Sequence, residues 1–175
     1  MKSVLFAVAA LAGIALSAAE VNVSGTFAQV QKNGFPNGWY ANAWEGYKPA
    51  PKFEIITDNG AKVLHFTEIK AKSGFGWASY ARFAAKAGDK VTVTAKVKGA
   101  GTAWFGLQTF QTNDSWTGVL PPKSFPLTKE WSEVKIELPV ANIKDKATGK
   151  VMLTFGANQN ADFYISNIKA DCTAK

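Results

Sequence analysis

The chain has 175 residues and a formal net charge of +7, with one histidine, one cysteine and a single arginine. One His excludes a multi-histidine metal cluster and leaves at most one imidazole for a catalytic dyad. One Cys excludes an intramolecular disulfide, so any fold must rest on its hydrophobic core. Lysines scattered singly, as in KVTVTAKVKG and IKDKATGK, form no basic groove, which argues against nucleic acid as a partner.

The chain opens with Met1 and Lys2, an apolar run from Val4 to Leu16 and the small residues SAA at 17–19. That order reads as a secretory signal cut near Ala19. The run is shorter than the roughly 20 apolar residues of a membrane span, and no second one follows. The expectation is an exported protein, secreted, periplasmic or at the cell surface. Residues 1–19 would be its signal and residues 20–175 a single domain, since no linker-like or repeated segment divides them.

Beyond the signal, short period-two runs alternate with Gly, Pro, Asn and Asp, and helical patterning is nearly absent. Strands are predicted around 21–30, 53–57, 62–69, 76–83, 102–110, 132–138, 150–156 and 162–170. The clearest lies in DKVTVTAKVKG, where Val91, Val93, Ala95 and Val97 face one way and Thr92, Thr94, Lys96 and Lys98 the other. Strands at this spacing without helices between them predict an all-β, two-sheet antiparallel sandwich or jelly roll.

Two strands break the rule of one wet face. In TAWFGLQTF, Trp104, Gly106, Gln108 and Phe110 alternate with Ala103, Phe105, Leu107 and Thr109; in GFGWASYARF, Trp77 and Phe83 share one face and Tyr80 and Arg82 the other. Either loops cover both strands, among them the Pro- and Gly-rich stretch Thr112–Pro126, or one sheet shows aromatic surface to solvent.

Catalytic signals are weak. His65 in KVLHFTEI reads as a sheet-face histidine held by hydrogen bonds, no GxSxG, phosphate-loop or HExxH motif occurs, and Glu45, Glu68 and Asp114 look like surface acids. Tyr80 with Arg82 is the only base–cation pair to nominate for a lyase. Asn22 and Asn113 lie in N-x-S sequons that matter only in a glycosylating host. Cys172 reads as incidental, with a disulfide-linked dimer as the alternative.

The segments GTFAQ…GFPNGW, AKAGDKVTVTAKVKG, LTKEWSEVKIEL and DFYISNIKAD, in that order, span nearly all of the chain after the signal. Together they resemble the jelly-roll carbohydrate-binding modules of families 4 and 9, and their relatives in family 22. The resemblance implies a non-catalytic protein that grips a polysaccharide (xylan, a β-glucan or an anionic glycan) in a concave cleft without a cofactor. It makes Trp39 and Trp131 structural landmarks and matches Trp77 and Phe110 to rings that sandwich a sugar. Gln108, Gln111 and Asn158 become polar neighbours, with Tyr80, Arg82 and Trp116 as further ligand-binding candidates. A pyranose offers an apolar C–H face and a fringe of hydroxyls, which rings beside amides satisfy. Carboxylates that help hold a structural calcium in the family are replaced by Ala28 and Ser166, so no metal is expected there. The open alternative is an exported structural or adhesion protein whose aromatic face meets another protein or self-assembles.

Overall fold

The computed structural model describes residues 19–175; the signal reading falls on residues 1–18, outside them, and at Ala19. Twelve strands follow one another: β1 (Ala19–Gly25), β2 (Trp39–Ala41), β3 (Lys52–Asp58), β4 (Ala61–Thr67), β5 (Phe75–Ala84), β6 (Lys90–Ala100), β7 (Thr102–Phe110), β8 (Trp116–Val119), β9 (Lys123–Pro126), β10 (Ser132–Pro139), β11 (Lys150–Ala157) and β12 (Asp162–Thr173). The helical content among them is one 3-10 turn at Glu45–Tyr47. Among the described residues no helix is long and apolar enough to cross a membrane.

The strands form two antiparallel six-stranded sheets, as the period-two runs predict. One has the order β10-β6-β12-β4-β3 with β1 also on β12; the other has the order β2-β5-β11-β7-β8 with β9 also on β7. The β3–β4 hairpin closes through Asn59 and Gly60, both at positive φ (49° and 78°), the two-residue turn whose twist suits neighbouring strands.

Between the sheets lies a single large core. Val91, Val93, Ala95 and Val97 of β6 are buried there beside Phe163 of the neighbouring β12, with Phe105 and Leu107 of β7 and Phe155 of β11 coming from the opposite sheet. Trp39 is fully buried, its indole N–H donating to the Ser24 carbonyl at 3.2 Å.

Two predicted segments differ. The first strand ends at Gly25 rather than near Val30, because Ser24 and Phe27 turn to positive φ and Gly25 lies against the Ile168 backbone, leaving no room for a side chain. The segment from Thr112 to Pro126 is not a crossover loop: β8 and β9 both run back along β7 as an edge arm. The arm is broken at Leu120-Pro121-Pro122, since proline has no N–H to offer a ladder and is confined to edges.

Candidate functional site

The outer face of the β2-β5-β11-β7-β8 sheet can be read row by row from its register. Trp104 on β7 stands beside Gly156 on β11, which stands beside Gly76 on β5. The next row is Gly106, Thr154, Ala78 and Tyr40; the third is Val119, Gln108, Met152 and Arg82. The middle row is thus made of small side chains at its β7 end, and a trough runs there.

Glycines decide how Trp104 lies. A Cβ on Gly156 would collide with the Trp104 indole, and one on Gly76 would come within 3.1 Å of the same ring and 2.8 Å of Tyr47. The indole therefore lies down across the glycine row, which is what glycine inside a strand permits. The loop after β2 adds a wall. Trp44 folds over Gly46 and meets Tyr47 edge to face at 4.9 Å, while the Asn42 N–H donates to the Gly76 carbonyl at 2.8 Å and ties the loop to β5. Burial raises the Tyr47 hydroxyl above the ordinary tyrosine pKa. On the opposite side stand Val119, Pro122 and Trp116.

The result is an open cavity of about 500 Å³ lined by Asn42, Trp44, Tyr47, Trp104, Gly106, Gln108, Trp116, Val119, Pro122 and Thr154. Trp44 and Trp116 are each 57% exposed. No charged side chain is in the lining, although the whole chain carries twenty lysines and arginines. Aromatic planes beside a primary amide and a hydroxyl suit a ligand with one apolar face and polar edges.

Of the predicted site residues, Gln108 and Trp116 line this cavity. Trp77 does not, and its assignment is corrected. It is 2% exposed in the core, stacked on Phe35 at 5.1 Å and met edge-on by Phe53 and Phe66 at 4.9 and 5.0 Å. The reason is strand phase: Phe75 and Trp77 point inward, Gly76 and Ala78 outward. Phe110 is on the cavity side of the sheet but is also not an open platform. It is 3% exposed, packed with Ala78 and Met152 and capped by the Arg82 guanidinium 4.0 Å above its ring.

Arg82 is thereby occupied, and it also pairs with Asp114 at 3.3 Å. Tyr80 is 61% exposed but tilted against Tyr40 at 4.8 Å, outside the cavity lining. Gln111 opens the β7–β8 turn, its N–H donating to the Ser115 carbonyl, and Asn158 sits in the β11–β12 turn, its N–H donating to Thr102. Neither lines the cavity. Sequence reasoning did not nominate Trp44, Tyr47 and Asn42, which lie in a loop without periodicity, nor commit to Trp104. The signal for Trp104 was available as Gly76, Gly106 and Gly156, each inside a strand.

His65 is a sheet-face residue held by hydrogen bonds. Its ring stacks on Tyr164 at 3.7 Å, with Glu54 at 2.9 Å from Nδ1 and Asp162 at 2.7 Å from Nε2. Cys172 lies in β12, half-buried against the core, its thiol 3.8 Å from the Ala84 carbonyl. Burial, then the nearby Asp89, raises its pKa and so lowers its thiolate fraction, which gives no support to a disulfide-linked dimer. Ser166 is buried, and among the described residues no cluster of three or more His, Cys, Asp or Glu is placed to hold a metal ion.

No protein-family model matches the chain, and no curated protein matches it. Solved structures do. A family 4 carbohydrate-binding module superposes with a TM-score of 0.55 at 14% identity, covering 86% of this chain and 98% of the module. A Stig cyclase, Fisc, from Fischerella sp. TAU, solved with a pyrrolidinylidene-indole compound, superposes with a TM-score of 0.60 at 14% identity, covering 91% and 100%. An arabinose-bound family 51 α-L-arabinofuranosidase gives 0.56 at 16% identity over 88% of this chain, which spans only 26% of that enzyme. At such identities the likeness is one of fold, and binding modules and enzymes share it. The chain has the jelly-roll sandwich fold of the carbohydrate-binding modules.

Proposed function

We propose that the protein is a non-catalytic glycan-binding protein that takes a neutral polysaccharide chain into the cavity over Trp104. The observation that carries this reading is the lining itself: four aromatic rings, Trp44, Tyr47, Trp104 and Trp116, with Gln108, Asn42 and Thr154 between them and no ionised group. Rings at different tilts around an open trough grip a chain of pyranoses through their C–H faces, and the amides and hydroxyl orient its edges. A flat apolar patch would instead suit a protein partner. The absence of a carboxylate or cation in the lining disfavours both acid–base chemistry there and an anionic glycan, because a uronate would lose hydration without gaining a paired charge. The nominated lyase pair fares no better: Arg82 is engaged with Phe110 and Asp114, and the Tyr80 ring is tilted against Tyr40. Secretion, from the apolar start of the chain, fits a partner found outside the cell.

Titration calorimetry with xylohexaose, cellohexaose, mannohexaose and an alginate oligosaccharide tests the reading. At least one neutral hexasaccharide is expected to bind and alginate is not. Trp104→Ala should weaken that binding by about 2 kcal/mol, roughly thirty-fold in Kd. Failure of the wild type to bind any neutral glycan, or a preference for alginate, overturns it.

A further inference from the structure

We infer that Asp114, which does not line the cavity, is the positioning residue that holds the Trp116 wall in place and so sets the affinity of the cleft. The inference rests on the glycan-binding reading for its affinity readout, but not for its structural content.

Trp116 stands on β8, an edge strand of four residues whose outer neighbour is solvent. So short an edge strand has little ladder of its own, and its most exposed ring is one wall of the cavity. Two devices hold it. Inside, the Thr109 and Thr117 hydroxyls bond at 2.6 Å and the Thr109 hydroxyl also donates to the Gly118 carbonyl at 3.2 Å. Outside, the turn that delivers β8 is fastened by Asp114 alone among its side chains to other strands of the sheet. Lys150 of β11 donates to one carboxylate oxygen at 2.9 Å, and Arg82 of β5 lies 3.3 Å from the other. The same Arg82 covers Phe110, which is the cross-strand partner of Trp116. One carboxylate thus ties β5, β11 and the β7–β8 turn together beside the wall ring. Without its charge, Arg82 and Lys150 lose the carboxylate they share, and the turn keeps only bonds within itself: Gln111 N–H to the Ser115 carbonyl, Asp114 N–H to the Gln111 carbonyl and Ser115 N–H to Asn113 Oδ1.

The backbone at Asp114 sets which substitution is informative. Its φ is +66°, a left-handed conformation that asparagine tolerates as well as aspartate does. Asp114→Asn therefore removes the charge and leaves the turn geometry unstrained.

The test uses the full chain and whichever neutral hexasaccharide binds in the calorimetric panel. Asp114→Asn and Lys150→Met should each weaken binding about fivefold, the upper end for exposed ion pairs, and the double variant should lose little more. In a Trp116→Ala background, where the wall is already gone, Asp114→Asn should change the affinity no further. A purely structural residue would add its loss there, and that outcome overturns the inference. Amide hydrogen exchange over residues 115–118 should speed up in Asp114→Asn while exchange in β6 and β12 stays unchanged. Should no hexasaccharide bind the wild type, the glycan reading fails and exchange decides alone: unchanged exchange at 115–118 overturns the role of Asp114.

Discussion

The outer faces of the two sheets both carry large rings, and they use them in opposite ways. On the β10-β6-β12-β4-β3 sheet every ring is engaged from within. The Lys98 ammonium lies 4.9 Å from the Trp131 ring and 4.7 Å from Tyr164; the Trp131 indole donates to Asp58 at 2.8 Å; and Tyr164 is covered by His65. On the β2-β5-β11-β7-β8 sheet, Phe110 alone receives such a cover, from Arg82, whereas Trp44, Trp104 and Trp116 look into the cavity. What separates a structural ring from a binding ring is what lies over it. A cation held over an aromatic face contributes its attraction to folding and leaves nothing for a ligand to replace.

The largest effect that tests this contrast comes from pairing Trp77→Ala with Trp104→Ala. Trp77 is filler between the sheets, so its truncation should cost about 3–5 kcal/mol of stability, the range for large aromatic deletions in a core. The molecules that remain folded should bind with near wild-type affinity. Trp104→Ala should do the reverse, with a small loss of stability and a large loss of binding. Urea unfolding measured beside glycan titration separates the two. Equal losses of affinity per folded molecule would erase the distinction between the faces.

A subtler probe is Gly76→Ala. The new methyl would stand 2.8 Å from the Tyr47 ring and 3.1 Å from that of Trp104, both movable side chains rather than backbone. Stability should change by less than about 1 kcal/mol, since Ala suits a strand at least as well as Gly does. The rings, however, must lift, and affinity should fall severalfold with no change at the other face. Unchanged affinity would mean that Trp104 need not lie flat on the glycine row.

The two-sheet fold was legible in the sequence because alternation in β6 and β12 follows burial closely. The facing of TAWFGLQTF was legible too: Trp104, Gly106, Gln108 and Phe110 share the outer face. The phase of GFGWASYARF was not. Both of its faces carry aromatics, and only the partner strand tells which is the core: Phe155, opposite Trp77, is itself buried. Phe110 was misread for another reason, since its cover, Arg82, comes from a strand 28 residues earlier in the chain. The Trp44–Tyr47 wall had no periodicity to betray it. The cavity depends on pairing that brings Gly156 and Gly76 side by side beneath Trp104, with Gly106 in the next row.

The smallest expected effect lies on the satisfied face, at Asp58. The Trp131 indole N–H, then Lys98, holds its carboxyl below the ordinary aspartate pKa. Because the folded value is depressed, the ionised group stabilises the fold above its unfolded pKa, and that contribution disappears as pH falls through the folded value. Asp58→Asn should therefore melt slightly below the wild type at neutral pH. The gap should close in acid, where the wild-type carboxyl is neutral as well. The loss is small because Asn still accepts from the indole; what goes is the charge opposite Lys98. Glycan affinity should not move, since nothing on this face touches the cavity. A gap that persists unchanged into strong acid would mean that the Asp58 charge is not what stabilises this face. A shift in affinity would mean that the two outer faces, one closed on itself and one open, are coupled through the core.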